Sequence, residues 1–492
     1  MISLEDAKTE LQNHLDAHYE WLLIHALGRS FPLNNSEIEI EFVQNKLLFG
    51  FSDDKGFQTW RIVDYELEAG EIHLNLSRNF NKEREKLRLV PRISAGELSE
   101  NLELARLDRA NDIAQIIKEN FPQTKLVRVE LNKENGRFAQ IIFENANGKQ
   151  TAVLADVSDT LTPEILMSAA CFWLVKLQNR KKNPIQTIWI LSEKRGARNL
   201  QKLHALLREN WKVKVLIKEV SRAGAMRQTA EIKDLPRLEI KDLWSGKSAE
   251  IKLSQNTEIC ETARQIIAFA PNEIDVIFST NGETLRFSGL PFARVRKVFD
   301  KEKVWFGVEK TKQILLESNF DELLELIENL QNFRRYNSPN KQHIFYTLAP
   351  EAWLESVLRK NINLLDGNLI LSPLYHQFRA EKDKIDLLAL RKDGRLVVIE
   401  LKVAIDREMI FQAAEYWRKI EWQRRLGTLQ KVRLFGDLEI ADAPTICYLV
   451  APTLSFHRDF KFLKNTISPE IEIFRFDLNE NWRERIRILQ RY

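Results

Sequence analysis

The 492-residue sequence has little of what marks secreted, fibrous or disordered proteins. Its three cysteines are widely spaced and form no CxxC pair, which argues against a disulfide framework or a cysteine-rich zinc module and favours reduced thiols. The 17 glycines and 14 prolines are too few for a collagen-like or low-complexity chain. With 74 Lys and Arg against 70 Asp and Glu, the net charge of +4 does not by itself indicate a polyanionic partner.

Long hydrophobic runs are also missing. The most apolar predicted helix, around residues 167–177, is too short to span a bilayer, so we expect no membrane partner. The N-terminal segment is charged and amphipathic, without signal-peptide character, and we expect a cytoplasmic protein. A chain that is 44% hydrophobic and 29% charged is typical of globular proteins, and its length suits about three or four domains.

The most informative segment is IDLLALRKDGRLVVIELKV, residues 385–403. Two apolar runs flank Lys392-Asp393-Gly394, which predicts a β-hairpin whose turn needs a glycine with positive φ. A three-residue loop places Asp386 directly opposite Glu400. A two-residue loop would pair Asp386 with Leu401 and put the two carboxylates on opposite faces, because a one-residue slip inverts the pleat. We predict the three-residue loop.

This register would place two carboxylates and the Lys402 ammonium in an otherwise apolar wall. Burying bare charges is costly unless they are paired or bind a cation. Asp386 and Glu400, with the backbone carbonyl of Leu401, suit Mg²⁺ or Mn²⁺, which keeps several waters. Lys402 could orient or deprotonate an attacking water and offset the negative charge of a phosphate. We therefore predict a metal-dependent site.

Two helices are predicted beside this site. Asp406 would cap a helix running to about Arg425, in which Gln412 and Tyr416 are an i, i+4 pair on one face. Upstream, the segment PEAWLE opens another helix, from which Glu355 could reach the metal. For Gln412, a role as a helix-packing amide is an equal alternative to a role in the site.

Six side chains of the C-terminal third follow a recognisable order: Glu355, Asp386, Glu400-x-Lys402 and Gln412-x3-Tyr416. This order resembles the PD-(D/E)xK nuclease superfamily, in the QxxxY branch that includes mismatch-type and Holliday-junction-type endonucleases. The segments PEAWLES, KIDLLALRKDGRLVVIELK and QAAEYW are similar to a set of large bacterial proteins with such a domain at the C-terminus. Ile385 stands where the signature has proline. The resemblance implies a restriction-endonuclease-like mixed sheet flanked by helices, catalysis by these six residues, and Mg²⁺-dependent phosphodiester hydrolysis.

The whole chain is predicted to be a multidomain α/β protein with four parts. The first part would begin with an amphipathic helix from about Ser3 to Gly28, followed by short antiparallel strands. The predicted parts are an N-terminal helix with a small β-rich domain (1–96), an α/β domain (97–222), a linker with an α+β domain (223–345) and the nuclease domain (346–492).

Residues 97–222 repeat the predicted order of elements of the C-terminal domain. Aligning Gly148 with Gly394 puts Gln140, Leu154 and Asp156 at the positions of the acids and the lysine, so the catalytic set is absent. This favours a degenerate, non-catalytic copy of the same fold, and the alternative is an unrelated α/β domain.

Two further segments could contact nucleic acid. The predicted Gln412 helix carries Arg418, Lys419, Trp422 and Arg425, of which only some can face a substrate; their attraction to phosphates would be sequence-independent. Residues 293–310, ARVRKVFDKEKVWFGVEK, interleave basic and aromatic residues, which suits phosphate contact and base stacking. A solvated sheet face is the alternative explanation of the second pattern.

Together these features predict a metal-dependent nuclease that acts on DNA as an endonuclease, with upstream domains that recognise the substrate or a partner. The alternative is a non-catalytic nucleic-acid-binding or assembly protein that kept the fold. The sequence does not determine whether the substrate is DNA or RNA, or whether cleavage occurs within a strand or at its end. A homodimer is one possible form of assembly.

Overall fold

The computed structural model describes residues 4–25, 30–34, 37–43, 45–53, 56–68, 70–78, 83–91, 95–158, 160–221, 230–245, 259–279, 282–298, 301–308, 313–372 and 386–492. The chain forms two compact units. One comprises Met1–His204 and Lys212–Pro236, and the other comprises Ala205–Trp211 and Arg237–Tyr492.

The N-terminal sheet is antiparallel, with strand order β2-β1-β7-β6-β5-β4-β3. The prediction of one helix from Ser3 to Gly28 is wrong, because the helix ends at Asp16 and a strand follows. The apolar run Trp21–Ile24 is fully buried and pairs on both sides, which a one-sided amphipathic helix cannot do. The elements are α1 Leu4–Asp16, β1 Glu20–His25, β2 Ser30–Asn34, β3 Ile38–Val43, β4 Lys46–Asp53, β5 Gly56–Glu68, β6 Glu71–Arg78 and β7 Glu83–Pro91.

The second sheet has the order β13-β12-β11-β10-β9-β8. The sequence analysis predicted that this domain ends at residue 222, but the last strand of the sheet lies beyond that residue. Residue 222 itself is outside the described ranges. The elements are α2 Ala95–Asn120, β8 Lys125–Leu131, β9 Phe138–Glu144, β10 Gln150–Asp156, α3 Pro163–Gln178, β11 Ile188–Glu193, α4 Lys194–Ala205, α5 Glu209–Lys212, β12 Val215–Val220 and β13 Ile232–Asp234.

The third sheet is an antiparallel meander, β14-β15-β16-β17-β18. Two helices cover one of its faces, and their buried Ile266 and Ile327 share a core with Leu285, Ala293 and Phe306 of the strands. The elements are a 3₁₀ helix at Ile240–Trp244, α6 Glu261–Ala268, β14 Ile274–Ser279, β15 Gly282–Phe287, β16 Leu290–Val298, β17 Lys301–Phe306, β18 Gln313–Ile314 and α7 Phe320–Phe333.

The fourth sheet is mixed, with the order β19-β20-β21-β22-β23-β24. The two central strands are fully buried, as the parallel strands of a sheet covered on both faces require. The elements are α8 Ile344–Thr347, α9 Pro350–Lys360, β19 Leu369–Leu371, β20 Leu387–Arg391, β21 Leu396–Leu401, α10 Met409–Arg425, α11 Thr428–Lys431, β22 Ile446–Pro452, α12 Phe460–Lys464, β23 Glu472–Leu478 and β24 Ile488–Arg491.

The β20–β21 hairpin has the predicted three-residue loop. The Arg391 N–H donates to the Arg395 carbonyl at 2.8 Å, and the Gly394 N–H donates to the Arg391 carbonyl at 2.8 Å. Gly394 has φ +81°, the left-handed conformation that the turn needs. Leu387 pairs with Ile399, so the next position along the ladder sets Asp386 opposite Glu400.

The second and fourth sheets have the same topology. In each, the first three strands are antiparallel neighbours, two parallel strands follow, and an antiparallel strand closes the other edge. In each, a helix precedes the first strand and another, α3 or α10, separates the third strand from the fourth. The predicted repetition of the order of elements is confirmed, and common origin remains our interpretation of it.

The two hairpins at the centre of these sheets also agree in register. Gln140 pairs with Leu154, as the alignment on Gly148 predicts for the equivalents of Asp386 and Glu400. Gly148 has φ +74° and donates to the Asn145 carbonyl at 2.9 Å. The second sheet therefore keeps the turn and the pairing but holds an amide and a leucine where the fourth holds two carboxylates.

No helix in the described part of the chain is long and apolar enough to cross a membrane. All three cysteines are free thiols, and Cys171 and Cys447 are buried. Burial raises the pKa of Cys171 to about 12, so this thiol stays protonated and unreactive at neutral pH.

Replacing Gly394 with alanine tests what sets the register. The left-handed φ costs an alanine about 1–2 kcal/mol. The new Cβ would also lie 3.1 Å from the Ala441 backbone nitrogen. We expect Gly394→Ala to lower the free energy of local opening of its hairpin, measured by amide hydrogen exchange, by more than that strain alone.

Gly148→Ala is the matched control. Gly148 occupies the same position of the same loop type, and an added Cβ there would meet no atom within 4 Å. It should lose about 1–2 kcal/mol of local stability from the φ strain alone. If both substitutions leave exchange unchanged, glycine does not determine the loop.

Candidate active site

Asp386 directly precedes β20, and the register of the hairpin, extended by one position, sets it opposite Glu400. Arg391 and Arg395 are a hydrogen-bonded pair, and such pairs alternate along an antiparallel ladder, so the fifth pair from them, Asp386 with Glu400, is a non-hydrogen-bonded one. In such pairs the Cα atoms are about 4.5 Å apart and the side chains are close together. Two carboxylates therefore share one small region of the sheet.

Asp386 is fixed by the neighbouring strand. Its Oδ2 accepts a hydrogen bond from the Leu401 N–H at 2.9 Å. The N–H and C=O of one strand residue point to the same side, so the Leu401 carbonyl leaves the strand on the side where Asp386 lies. This is consistent with the expected set of oxygen atoms from Asp386, Glu400 and the Leu401 backbone.

Glu400 is a buried carboxylate that is only half satisfied. Its side chain is 3% exposed, and Oε1 lies 3.0 Å from the Lys402 Nζ. Its Oε2 is buried and has no hydrogen-bond partner among the residues that the structure describes. Burial raises the pKa of Glu400 well above its ordinary value of 4.5, Asp386 adds to the rise, and Lys402 opposes it. Without a bound cation, the ionised form of Glu400 therefore lowers the stability of the fold.

Lys402 is surrounded by acids. Its Nζ also lies 3.5 Å from Asp406 Oδ2. Burial alone would lower the pKa of Lys402, but Glu400, Asp406 and Glu351 outweigh it, so the pKa lies above the ordinary value of 10.5. The ammonium is therefore charged at neutral pH. The acid of α9 whose charge acts on Lys402 is Glu351, which the sequence analysis did not select.

Helix α10 covers the face of the sheet that carries Glu400. On the neighbouring strand β22, Cys447 pairs with Val398 and so shares the face of Glu400. The Cys447 Sγ donates to the Ala413 carbonyl of α10 at 3.6 Å, which places this helix over that face. Next to Ala413, the Oε1 of Gln412 is buried and has no partner among the described residues. A second acceptor without a donor thus lies on the helix that covers the carboxylates.

The first turn of α10 depends on Asp406. Its Oδ1 accepts hydrogen bonds from the N–H groups of Glu408 at 2.6 Å and Met409 at 2.8 Å, at the start of α10. The N-cap position itself is held by Glu408, two residues after the predicted Asp406. Burial, followed by a hydrogen bond with Asp406, raises the pKa of Glu408 to about 7. Tyr416 lies one turn beyond Gln412 and packs against the core of the domain. Asp406 therefore links the helix start to Lys402, which sequence spacing alone did not indicate.

Glu355 lies in a buried ion pair. One carboxylate oxygen is 3.2 Å from Nη1 of Arg286, and both side chains are almost fully buried. Arg286 also pairs with Asp275, which Arg359 of α9 contacts at 2.9 Å. The structure thus gives Glu355 a partner in the third sheet, and its expected role as a metal ligand stays a prediction.

The expected nucleic-acid contacts on α10 differ in accessibility. Arg418 is buried and bonds Glu415 through two nitrogens, at 2.8 and 2.5 Å, so a phosphate would have to displace that carboxylate. Lys419 lies 3.6 Å from the same carboxylate. The Arg425 side chain is 45% exposed, 2.8 Å from Glu421 and over the Trp244 ring. Trp422 is half-buried. Of the four, Arg425 is the most available.

The site suits a divalent cation held partly by water. No group of three or more His, Cys, Asp or Glu side chains in the described ranges could hold a metal ion. Asp386 and Glu400 would therefore supply two carboxylates, with the Leu401 carbonyl as a third oxygen. Mg²⁺ commonly binds through one or two carboxylates and keeps several waters, so this donor set fits. The orphaned Glu400 oxygen is the atom that such an ion would satisfy. Ile385, at the signature's proline position, lies outside the described residues.

Comparisons with known proteins add little to this geometry. No family model matches the chain, and no curated protein matches it. Among solved structures, the apo form of EndoMS is similar at 12% sequence identity, over 45% of this chain and 97% of that chain, with a TM-score of 0.18. A TM-score this low does not establish a shared fold. The nuclease-superfamily resemblance therefore remains a prediction.

The strained state of Glu400 predicts a gain in stability when its charge is removed. A carboxyl whose pKa is raised by folding stabilises the protein below its ordinary value of 4.5, and that contribution is lost as pH rises through the folded-state pKa. Glu400→Gln has no such loss. We therefore expect the difference in melting temperature, variant minus wild type, to be larger at pH 8 than at pH 5. Calorimetry in EDTA measures it without a bound metal.

Glu421→Gln is the control with the opposite sign. Burial alone would raise the pKa of Glu421, but hydrogen bonds from Arg424 and Thr445 outweigh it and lower the pKa. Its ionised form stabilises the fold above the ordinary value and loses that effect as pH falls, so this variant should melt lower than wild type at pH 8. If Glu400→Gln also melts lower than wild type at pH 8, the ionised Glu400 stabilises the fold, and the inference of an unsatisfied carboxylate is wrong.

Proposed function

We propose that residues 346–492 form a metal-dependent nuclease domain that hydrolyses phosphodiester bonds, with DNA as the expected substrate. The observation that carries this proposal is the buried Glu400 carboxylate, whose Oε2 has no partner in the described structure and whose neighbour across the strand is Asp386. A buried carboxylate with an unsatisfied oxygen, beside a second acid, is typical of a functional site. A divalent cation is the ligand that best resolves this arrangement.

Asp386, Glu400 and the Leu401 carbonyl would hold Mg²⁺ or Mn²⁺. When bound, such an ion polarises a phosphate oxygen and lowers the pKa of a coordinated water. The Asp386 carboxylate is already oriented by the Leu401 N–H, so its position does not depend on the ion. The two chain segments are thus arranged before a ligand arrives, as electrostatic catalysis requires.

Lys402 would act as a cation beside the phosphate. Its raised pKa means that it holds its proton at neutral pH, which favours stabilisation of negative charge over abstraction of a proton from water. It lies 3.0 Å from Glu400, so a phosphate bound at the carboxylates would be within reach of its flexible ammonium. Gln412, with its unpartnered buried oxygen, could accept a hydrogen bond from a water in the same region.

One observation favours the second candidate, a non-catalytic nucleic-acid-binding protein. Glu355, the first acid of the expected set, is paired with Arg286 in a buried contact. With two carboxylates facing each other among the described residues, the domain could hold an ion for structure or binding without turnover. Metal binding and cleavage therefore need separate measurements.

Cleavage is tested with the full-length protein and Mg²⁺ or Mn²⁺ on supercoiled, branched, mismatched and single-stranded DNA, with an RNA arm. We expect product on at least one substrate, and a loss of about 100-fold or more in rate for Glu400→Gln and Lys402→Met. Glu472→Gln, a half-exposed acid that pairs with Arg395 in the same sheet, should keep the wild-type rate. Absence of cleavage by the wild-type protein on the whole panel would overturn the catalytic proposal.

Metal binding is tested by Mn²⁺ titration followed by electron paramagnetic resonance. Asp386→Asn and Glu400→Gln should abolish the bound signal, because each removes one carboxylate of the pair. Glu472→Gln should bind like wild type. Binding without cleavage would support the second candidate, and no binding by the wild-type protein would refute the metal site in both.

A further inference from the structure

In the described part of the third sheet, α6 and α7 cover one face and leave the other uncovered. Thr284, Arg294 and Trp305 lie directly across from one another on β15, β16 and β17. The alternate positions Leu285, Ala293 and Phe306 are buried in the core under α6 and α7. Because successive side chains of a strand point to opposite faces, the first three residues occupy the face that these helices leave uncovered.

This uncovered face contains a groove of about 310 Å³. It is lined by Thr284, Pro291, Phe292, Ala293, Arg294, Arg296, Trp305 and Gly307. Among the described residues, the lining combines two guanidinium groups, an indole and a hydroxyl, and includes no carboxylate. A groove with this composition is complementary to an anion joined to a flat apolar ring.

Arg296 is suited to bind such an anion. Its guanidinium lies 5.8 Å from the centre of the Trp305 ring. Within the described part of the protein, its buried Nε has no hydrogen-bond partner. A buried nitrogen donor without an acceptor is costly, and a phosphate oxygen would supply the acceptor. Charge and stacking surface thus occur side by side.

We propose that this groove, formed by Thr284, Arg294, Arg296 and Trp305, binds single-stranded nucleic acid, with an unpaired base on the Trp305 ring and a phosphate at the arginines. Stacking requires a base whose flat face is exposed, which a duplex does not offer. The groove also has about the size of one nucleotide rather than of a double helix. The basic and aromatic interleaving of β16 and β17 thereby gains a function.

The groove lies on the face that also meets the nuclease domain. Arg286 is two residues from Thr284 on β15 and so projects from the same face. Its pair with Glu355 of α9 joins that face to the C-terminal domain through a buried contact. A strand held in the groove would therefore run beside the domain in which we place the chemistry. Binding itself requires no cleavage, so the two proposals can fail separately.

The test is fluorescence anisotropy of the full-length protein with a labelled oligo-dT strand in EDTA, where no metal-dependent cleavage can occur. Trp305→Leu should weaken binding about tenfold, because stacking on an aromatic side chain contributes strongly to affinity. Trp305→Phe keeps a ring and should recover most of the loss. Arg296→Gln should reduce the slope of log K against log salt by about 0.7, the value for one phosphate on a single strand.

Arg78→Gln is the matched control. Arg78 also lies over an indole, 4.2 Å from the centre of Trp60, but its charge is neutralised by Glu83. It should change neither affinity nor salt slope. An equal effect of Arg78→Gln and Arg296→Gln, unchanged affinity in Trp305→Leu, or equal competition by duplex DNA or polyglutamate would each overturn the proposal. An oligo-U arm determines whether DNA or RNA is preferred, and circular dichroism confirms that each variant is folded.

Discussion

The placement of Asp386 opposite Glu400 depends on one turn. The loop Lys392-Asp393-Gly394 closes with Gly394 at φ +81°, and the ladder that starts at Arg391 and Arg395 carries this register to the far end of the hairpin. A slip of one residue would turn every side chain of the strand to the other face. The acids lie beside each other because the turn admits one pairing, and the features of the site follow from that pairing.

The pairing makes the site costly to fold. Two carboxylates and an ammonium occupy a sheet whose other central side chains are apolar, and the Lys402 Nζ lies 3.0 Å from the Glu400 Oε1. Glu421 of α10 is a buried acid of the same domain that is fully bonded, because it contacts Arg424, Arg425 and Thr445. Folding thus raises the pKa of Glu400 and lowers that of Glu421. Of the two, Glu400 is the one with an oxygen that has no hydrogen-bond partner among the described residues.

Buried arginines join the third sheet to the fourth. Arg334 is 1% exposed, yet it donates to the carbonyls of Phe287 and Ser288 in the third sheet and of Phe345, Leu348 and Ala349 before α9. Burial and the nearby Arg483 lower its pKa to about 9. With the Arg286 pair to Glu355, these bonds fix where α9 begins. The position of Glu355, an acid expected in the active site, is therefore set partly by contacts with the third sheet.

Local patterns determined much of this protein. The two apolar runs of residues 385–403 on either side of a Lys-Asp-Gly turn predicted the hairpin and its register. The alignment of Gly148 with Gly394 predicted the matching hairpin upstream, because turn chemistry and pleat are local properties. Local periodicity failed at Trp21–Ile24, where pairing with two strands outweighed the pattern of the preceding helix. Only the tertiary structure revealed that Glu351 acts on Lys402, that Arg286 holds Glu355 and that Arg418 is buried against Glu415. The first two contacts join residues from different elements, and the burial of Arg418 depends on which side of α10 faces the sheet, so spacing along the chain does not encode them.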